Sequence, residues 1–175
     1  MAPTLRTRTP LIVMLVVGVG LALLVPAFKR FGPPILINET VSEPQGFYRL
    51  VSLDSTQYRR GTYVVFPVPV AVRSLVYGRG WIRESIPLLK ELVGLSGDRV
   101  CITATRVDIN GTTLGPVLSR DTQGLPLPQL RGCFVVQPGY FFAASRHSEK
   151  SFDGRYFGAL PLSILSGEAV PLWTF

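Results

Sequence analysis

The sequence contains few of the residues from which common catalytic and metal sites are built. Its 175 residues include one histidine and two cysteines. His147, Cys101 and Cys133 do not occur at metal-ligand spacing, so we expect no metal ion and no other cofactor. A histidine-based catalytic triad would have to use His147, which lies in a hydrophilic segment and is predicted to be a solvated loop residue.

Charged residues are also scarce, at 17% of the chain against 47% hydrophobic residues. Such a composition excludes a disordered protein and requires a sizeable core or a membrane segment. The net charge is +7, but the cations are scattered singly or in pairs and form no stripe, so we expect no binding of nucleic acid. A basic balance suits a domain near anionic lipid headgroups, which makes the lipid bilayer an expected partner.

One long apolar run interrupts this sequence near its beginning. Residues 11–28 carry no charge and follow a short N-terminal tail, residues 1–10, that contains two arginines. At a rise of ~1.5 Å per residue, a helix of this length covers about 27 Å, enough for a bilayer core. The run is predicted to be a transmembrane anchor with the N-terminus inside; the alternative is a cleaved secretory signal with its cleavage site near residues 25–27. Both interpretations export the remaining chain.

After the apolar run the sequence predicts a linker and one domain. Residues 29–38 contain two prolines and read as the linker, and residues 39–175 show short β-type runs separated by glycine and proline. Asn110-Gly111 predicts a hairpin, residues 70–77 a short helix and residues 118–131 a surface loop. The best strand predictions cover residues 47–53, 62–68, 88–95, 99–103, 133–137 and 140–144.

The two cysteines lie in separate strand-like runs. Cys101 and Cys133 form an even number in an exported chain, which favours a disulfide between them. The alternative is a pair of buried free thiols.

Lysine is the third scarce residue, with three copies among 18 cations. Lys29 and Lys150 lie in polar surroundings, whereas Lys90 interrupts an apolar run in which a period of two places it on one face with Leu88 and Leu92. Burial lowers the pKa of a lysine and can leave a neutral amine that acts as a general base. The alternative is a lysine whose stem lies along the surface with its ammonium in water.

Three segments of the sequence, one of which begins with Lys90, match known motifs in the correct order along the chain. Residues 38–48 read NETVSEPQGFY, residues 90–98 read KELVGLSGD, and residues 151–158 read SFDGRYFG, with GEAVPLW at residues 167–173. The first resembles the N-x-T-x-S-x-P-x-G-x-Y segment of TraF-type conjugative-transfer peptidases, a branch of the signal peptidase I family. The second is similar to that family's general-base segment, and the third to its S-x-D-S-R-Y-F-G box. Together they cover most of the chain after the apolar run.

The resemblance implies roles for individual residues. Ser42 would be the nucleophile and Lys90 the general base, a pairing that needs neither histidine nor metal. The main-chain amide of Ser42 and the hydroxyl of Thr40 would stabilise the oxyanion. In the last box, Ser151 and Asp153 would orient the lysine or form the wall of the site, and Arg155 would pair with Asp153. Asp98 would be structural.

The resemblance also implies a fold and a function. We expect a mostly β, signal-peptidase-like domain with one N-terminal transmembrane helix in the bacterial inner membrane. Its catalytic domain would face the periplasm, remove the C-terminal tail of a conjugative pilin precursor and join the new end to the pilin's own amino terminus. Two alternatives remain, namely a general signal peptidase that hydrolyses leader peptides and a non-catalytic envelope scaffold.

The chain departs from the family pattern at three places. Glu43 follows the serine, where housekeeping signal peptidases usually have methionine, and this favours the TraF branch. The family's G-D-x-V-V strand reads Gly61-Thr62-Tyr63-Val64-Val65, and its G-D-N sequence before the last box reads Ala144-Ser145-Arg146. None of these changes removes the nucleophile or the base.

Overall fold

The structure is a computed structural model that describes residues 8–31, 34–52 and 58–175. The chain divides into two units, Met1–Pro34 and Ile35–Phe175. In the first unit, helix α1 (Arg8–Phe31) contains Pro26 and has no acidic residue in its first turn. Its side chains from Pro10 to Pro26 are exposed, except for the half-buried Gly20.

The predicted transmembrane anchor over residues 11–28 is not supported. A helix does form there, but no helix in the described part of the chain is long and apolar enough to cross a membrane. Residues 1–7 of the predicted tail and residues 32–33 of the predicted linker lie outside the described residues. Residues 35–38 of that linker form a strand, β1, because they pair with the segment that follows the next loop.

In the second unit, the described strands form two antiparallel sheets. One is seven-stranded with the order β1-β2-β11-β3-β4-β9-β10, and the other is four-stranded with the order β7-β6-β5-β8. The strands are β1 (Ile35–Asn38), β2 (Gly46–Val51), β3 (Tyr63–Phe66), β4 (Leu88–Gly94), β5 (Arg99–Ile102), β6 (Arg106–Ile109), β7 (Thr112–Pro116), β8 (Gly132–Val135), β9 (Tyr140–Ala143), β10 (Leu160–Pro161) and β11 (Gly167–Thr174). Among the described residues of this unit, the α-helices are α2 (Arg73–Gly78) and α3 (Gly154–Phe157). The prediction of a mostly β domain is confirmed.

The local predictions agree with the structure where short-range sequence decides the conformation. Asn110 and Gly111 both have positive φ, 52° and 83°, and form the turn between β6 and β7. The predicted disulfide is confirmed: Cys101 on β5 and Cys133 on β8 lie opposite each other in the register and are bonded. The predicted helix at residues 70–77 forms as a 3-10 turn at Val70–Val72 followed by α2.

Strand β11 was not predicted, although it pairs with both β2 and β3 inside the larger sheet. Its burial pattern changes from alternating to fully exposed after residue 170, so a period of two is hard to recognise in the sequence. Gly46 allows β11 to come close to the start of β2. It has a φ of 148°, and a Cβ on this residue would lie 2.1 Å from the carbonyl oxygen of Trp173.

Two features of this fold position the site. The loop between β1 and β2, residues 39–45, connects two paired strands and is therefore held at both ends. Strand β4 is buried along its whole length, between β3 and β9. Leu88 and Leu92 of β4 belong to one hydrophobic cluster, as the predicted period of two requires. A polar side chain on β4 is therefore surrounded by the core.

Candidate active site

A cleft of about 790 Å³ in the second unit is lined by several of the residues that the sequence singled out. Ser42 and Lys90 line it, and so does Ser151. Much of the remaining wall is apolar and comes from β1, α2, β4, the loops before β4 and α3, and the loop between β7 and β8. These apolar side chains are Leu36, Ile37, Val76, Trp81, Ile82, Ile86, Leu88, Leu127 and Phe152. The cleft can therefore hold an apolar segment of chain beside a polar group.

Asn38, the last residue of β1, organises the loop that carries Ser42. Its side-chain NH₂ donates to the carbonyls of Thr40, Glu43 and Pro44, at 3.0 to 3.1 Å, and its Oδ1 accepts from the backbone N–H and the hydroxyl of Thr40. The Asn38 side chain is buried. Because one amide contacts both arms of the loop, it fixes the conformation in which Ser42 lies at the turn.

Ser42 and Lys90 are 48 residues apart in the sequence and meet in the cleft. The Nζ of Lys90 donates to the Oγ of Ser42 at 2.6 Å. The second neighbour of the serine hydroxyl is Thr40, whose Oγ1 lies 3.2 Å from it. A distance of 2.6 Å is within the range in which one heavy atom can take a proton from another.

The environment of Lys90 favours the neutral amine. Lys90 is 3% exposed, and burial lowers its pKa because the ammonium is poorly solvated there. The carboxylates of Asp153 and Glu43 oppose this effect and Arg155 adds to it, yet the net direction is downward. A lysine in this setting can act as a general base.

Thr40 lies where the resemblance requires an oxyanion donor, but its hydroxyl is engaged. In this structure the Thr40 hydroxyl donates to Asn38 Oδ1 at 2.7 Å. Rotation about χ1 or the C–O bond is needed before it can donate to a substrate oxygen. The backbone N–H of Thr40 also donates to Asn38, which keeps the threonine in place during such a rotation.

Asp153 and Arg155 form a buried ion pair below the loop. Arg155 Nη2 and Nε donate to the two carboxylate oxygens at 2.7 and 2.9 Å, and the two side chains are 0% and 1% exposed. The backbone N–H of Ser145 donates to Asp153 Oδ2 at 3.0 Å, and the Ser145 hydroxyl donates to the carbonyl of Ser42 in a short hydrogen bond. A continuous chain of contacts therefore connects the ion pair to the serine backbone.

Ser151 lines the same cleft, and its Oγ is buried without a hydrogen-bond partner among the described residues. A buried hydroxyl with no partner is costly and points to a group that another molecule or a moved side chain satisfies. Ser151 therefore lies in the cleft with Ser42 and Lys90, but among the described residues no hydrogen bond joins it to Lys90.

The carboxylate of Asp98 makes hydrogen bonds that hold neighbouring segments of the fold together. It accepts from the backbone N–H of Leu95 at 2.7 Å, from Asn110 Nδ2 at 2.8 Å and from the guanidinium of Arg60. Burial opposes ionisation, but these hydrogen bonds outweigh it and hold the pKa of Asp98 below its ordinary value. The carboxylate fastens the turn after β4 to the hairpin between β6 and β7.

Three residues that the structure places at the site had no role predicted from the sequence: Asn38, Glu43 and Ser145. Asn38 stands at the first position of the NETVSEPQGFY segment, so that segment contained the signal. Ser145 appeared only as a departure from the family pattern, and its contact with Ser42 spans 103 residues. Glu43 also appeared only as a departure, yet it is 1% exposed beside the nucleophile.

Comparison with known proteins finds a matching family model and similar relatives. The family model "Signal peptidase, peptidase S26" matches residues 7–173. The conjugal transfer protein TraF of Agrobacterium fabrum (strain C58 / ATCC 33970) is 34% identical over 147 residues, covering 79% of this chain and 82% of that protein. The plasmid transfer protein TraF of Escherichia coli is 30% identical over 169 residues, covering 91% and 93%.

A solved structure is also similar, the signal peptidase I of Enterococcus faecalis V583. It has 21% identity and a TM-score of 0.38 and covers 64% of this chain and 96% of its own. The family match, together with the two TraF relatives that align over most of the chain, shows that this protein is a TraF-type serine peptidase of the signal peptidase family.

Proposed function

We propose that the protein is a Ser/Lys endopeptidase in which Ser42 is the nucleophile and Lys90 the general base. The observation that carries the proposal is the 2.6 Å hydrogen bond from Lys90 Nζ to Ser42 Oγ, made by a lysine that is 3% exposed. Burial disfavours the ammonium, and among the described residues the hydrogen-bond partner of the Lys90 amine is the serine hydroxyl, whose proton a neutral amine can take at this distance.

The chemistry begins with attack of Ser42 Oγ on the carbonyl carbon of the scissile peptide, while Lys90 Nζ takes the serine proton. The developing oxyanion is stabilised by the backbone N–H of Ser42 and by the Thr40 hydroxyl after it turns away from Asn38. Collapse of the tetrahedral intermediate breaks the C–N bond, and Lys90 returns its proton to the leaving amine. An ester between Ser42 and the acyl part of the substrate remains.

The fate of that ester decides the product. Water gives a free carboxylate, whereas an amine held next to the ester gives a new peptide bond. A tethered amine has a high effective molarity and competes with water when its geometry is right. We propose that the amine is the substrate's own amino terminus and that the product is cyclic.

The proposed substrate is a conjugative pilin precursor. It is supported by the relatives, which are named for conjugal and plasmid transfer, and by the apolar wall of the cleft, which suits an apolar segment near the cleavage site. The proposed location is the periplasmic side of the bacterial inner membrane, at the lipid bilayer. The disulfide supports an oxidising compartment.

The experiment that tests the catalytic residues compares Ser42→Ala and Lys90→Met with two matched controls in the full chain. Ser163→Ala removes an exposed serine in the second unit, and Lys29→Ala removes a lysine outside it. We expect processing of a pilin precursor to be lost in the first two variants and kept in the controls. Full activity of either Ser42→Ala or Lys90→Met refutes the mechanism.

Intact-mass analysis of the product separates the proposed cyclisation from the alternative, a general signal peptidase with the same catalytic residues. Cyclisation leaves the retained segment one water lighter than hydrolysis does. A product with the hydrolysed mass, formed from both a pilin precursor and a secretory leader peptide, favours the alternative.

A further inference from the structure

Glu43 follows the nucleophile directly and points into the core. Its Oε1 accepts from the backbone N–H of Glu91 at 3.3 Å, and its Oε2 has no hydrogen-bond partner among the described residues. His147 Nε2 is 4.0 Å from Oε2. A carboxyl that is 1% exposed and half satisfied is rare, because burial of an unpaired charge is costly.

The groups around Glu43 come from every neighbouring element. Lys90 and Glu91 lie on β4, Asp153 precedes α3, and His147 lies in the loop after β9. Two tyrosines complete the surroundings, on β2 and β3. The titratable and charged groups that face Glu43 are Lys90, Glu91, Asp153, His147, Tyr48 and Tyr63.

Two of the three acids in this group have an arginine partner and Glu43 does not. Asp153 is paired with Arg155 at 2.7 Å, and Glu91 is paired with Arg146 at 2.9 Å. Within the described residues no lysine or arginine lies within ion-pair distance of Glu43. Lys90 is the buried cation that the charge of Glu43 affects, and the charge of Asp153, which is paired with Arg155, affects it more strongly.

The two groups influence each other in the expected directions. Burial raises the pKa of Glu43 to about 7, and Lys90 is the first group that lowers it. In return the carboxylate of Glu43 raises the pKa of Lys90, against the larger effect of burial. A raised carboxyl pKa and a lowered amine pKa bring the two titrations closer together, so protonation of either group shifts the pKa of the other.

We propose that Glu43 is a positioning residue that acts through Lys90: its carboxylate retains the proton on the amine and so sets the pH above which the peptidase becomes active. The inference rests on the proposed role of Lys90 as general base. With an apolar residue at position 43, the lysine loses its proton at lower pH.

The test measures kcat/KM against pH for the full chain and for Glu43→Gln, which keeps the side-chain shape and an oxygen that can accept from the Glu91 N–H. We expect the acid limb to move to lower pH by about one unit, the lower end of what a nearby opposite charge produces. One unit below the wild-type midpoint, the variant is then roughly fivefold faster than the wild type. The plateau at high pH stays within about a factor of two.

Two further variants separate this effect from simple loss of charge or of structure. Glu149→Gln removes an exposed carboxylate that does not line the cleft, and we expect its acid limb to coincide with that of the wild type. Glu43→Met removes the buried carboxylate with an apolar chain of similar length, and its acid limb shifts as in Glu43→Gln. A uniform loss of activity with an unmoved limb in both Glu43 variants overturns the proposal.

A measurement without substrate completes the test. The chain has only three lysines, so NMR of 13C-labelled lysine can follow Lys90 after assignment by Lys90→Met. We expect Lys90 to titrate at lower pH in Glu43→Gln than in the wild type. If the titration of Lys90 is unchanged in Glu43→Gln while Ser42→Ala and Lys90→Met are inactive, the role of Glu43 is refuted and the proposed function stands. Full activity of Ser42→Ala refutes the proposed function. In that case the titration of Lys90 still decides whether Glu43 affects its pKa.

Discussion

Replacement of Asp153 by asparagine tests whether the buried ion pair holds the site together. The substitution keeps the shape of the side chain but removes the charge that compensates Arg155, which is 1% exposed. The guanidinium retains its donations to the carbonyls of Pro116, Ser145 and Ser148. These carbonyls solvate the charge only in part, so a largely uncompensated cation remains in the core.

The expected magnitude follows from this burial. Breaking a buried pair by removing one partner costs about 3 to 5 kcal/mol. That is a large fraction of the roughly 5 to 15 kcal/mol by which a domain is stable. With an m-value of about 2 kcal/mol/M in urea, the unfolding midpoint of Asp153→Asn falls by about 2 M.

The assay is urea unfolding of the full chain, followed by tryptophan fluorescence and by circular dichroism. The matched control is Asp108→Asn, which also breaks a carboxylate–arginine pair, but one whose arginine, Arg106, has a side chain that is 61% exposed. We expect Asp108→Asn to lower the midpoint far less. Equal midpoints for the two variants refute the view that the Asp153–Arg155 pair supports the core.

Three further predictions concern the loop, the disulfide and the turn after β4. Thr40→Val removes a proposed oxyanion donor, so we expect kcat to fall about a hundredfold or more with little change in KM. If steady-state assays give the kcat of the wild type, Thr40 takes no part in the mechanism. The double variant Cys101→Ser/Cys133→Ser loses a disulfide between residues 32 positions apart. In the chain-entropy model its free energy of unfolding is therefore lower by about 3 to 4 kcal/mol. The reduced wild type is the comparison, and equal stability of the oxidised and reduced protein contradicts this prediction. Asp98→Asn destabilises the domain by about 1 to 3 kcal/mol at neutral pH. Because the folded-state pKa of Asp98 is lowered, the difference persists above the ordinary aspartate pKa of about 3.9 and shrinks as the pH falls through the lower folded-state value. Urea titrations at several pH values measure it, and a difference that grows on acidification contradicts the assignment.

Much of the strand pattern could be predicted because it depends on neighbouring residues. The β-type runs separated by glycine and proline predicted strands at residues 62–68 and 88–95, and the observed β3 and β4 agree with these bounds within two residues. The Asn110-Gly111 pair predicted its turn because these residue types tolerate positive φ. The pairing of β11 between β2 and β3 could not be obtained in this way, since it depends on segments more than a hundred residues apart.

The apolar run at residues 11–28 was predicted to form a helix, and it does. Its hydrophobicity predicted a membrane anchor, and helix α1 forms over it, but the described residues contain no helix long and apolar enough for a span. The β1 strand shows the opposite case. Residues 35–38 looked like linker because they are short and follow two prolines, and they became a strand through pairing with β2.

The sequence by itself determined which residues are chemically able to serve as nucleophile and general base: a serine within a segment that resembles a family motif, and one lysine within an apolar run. Tertiary structure decided that Lys90 Nζ lies 2.6 Å from Ser42 Oγ and that Glu43 faces inward beside them. The physical reason is range. Residue types and local periodicity act over a few positions, whereas burial, and with it the protonation of Lys90 and Glu43, is a property of the packed core that distant segments create together.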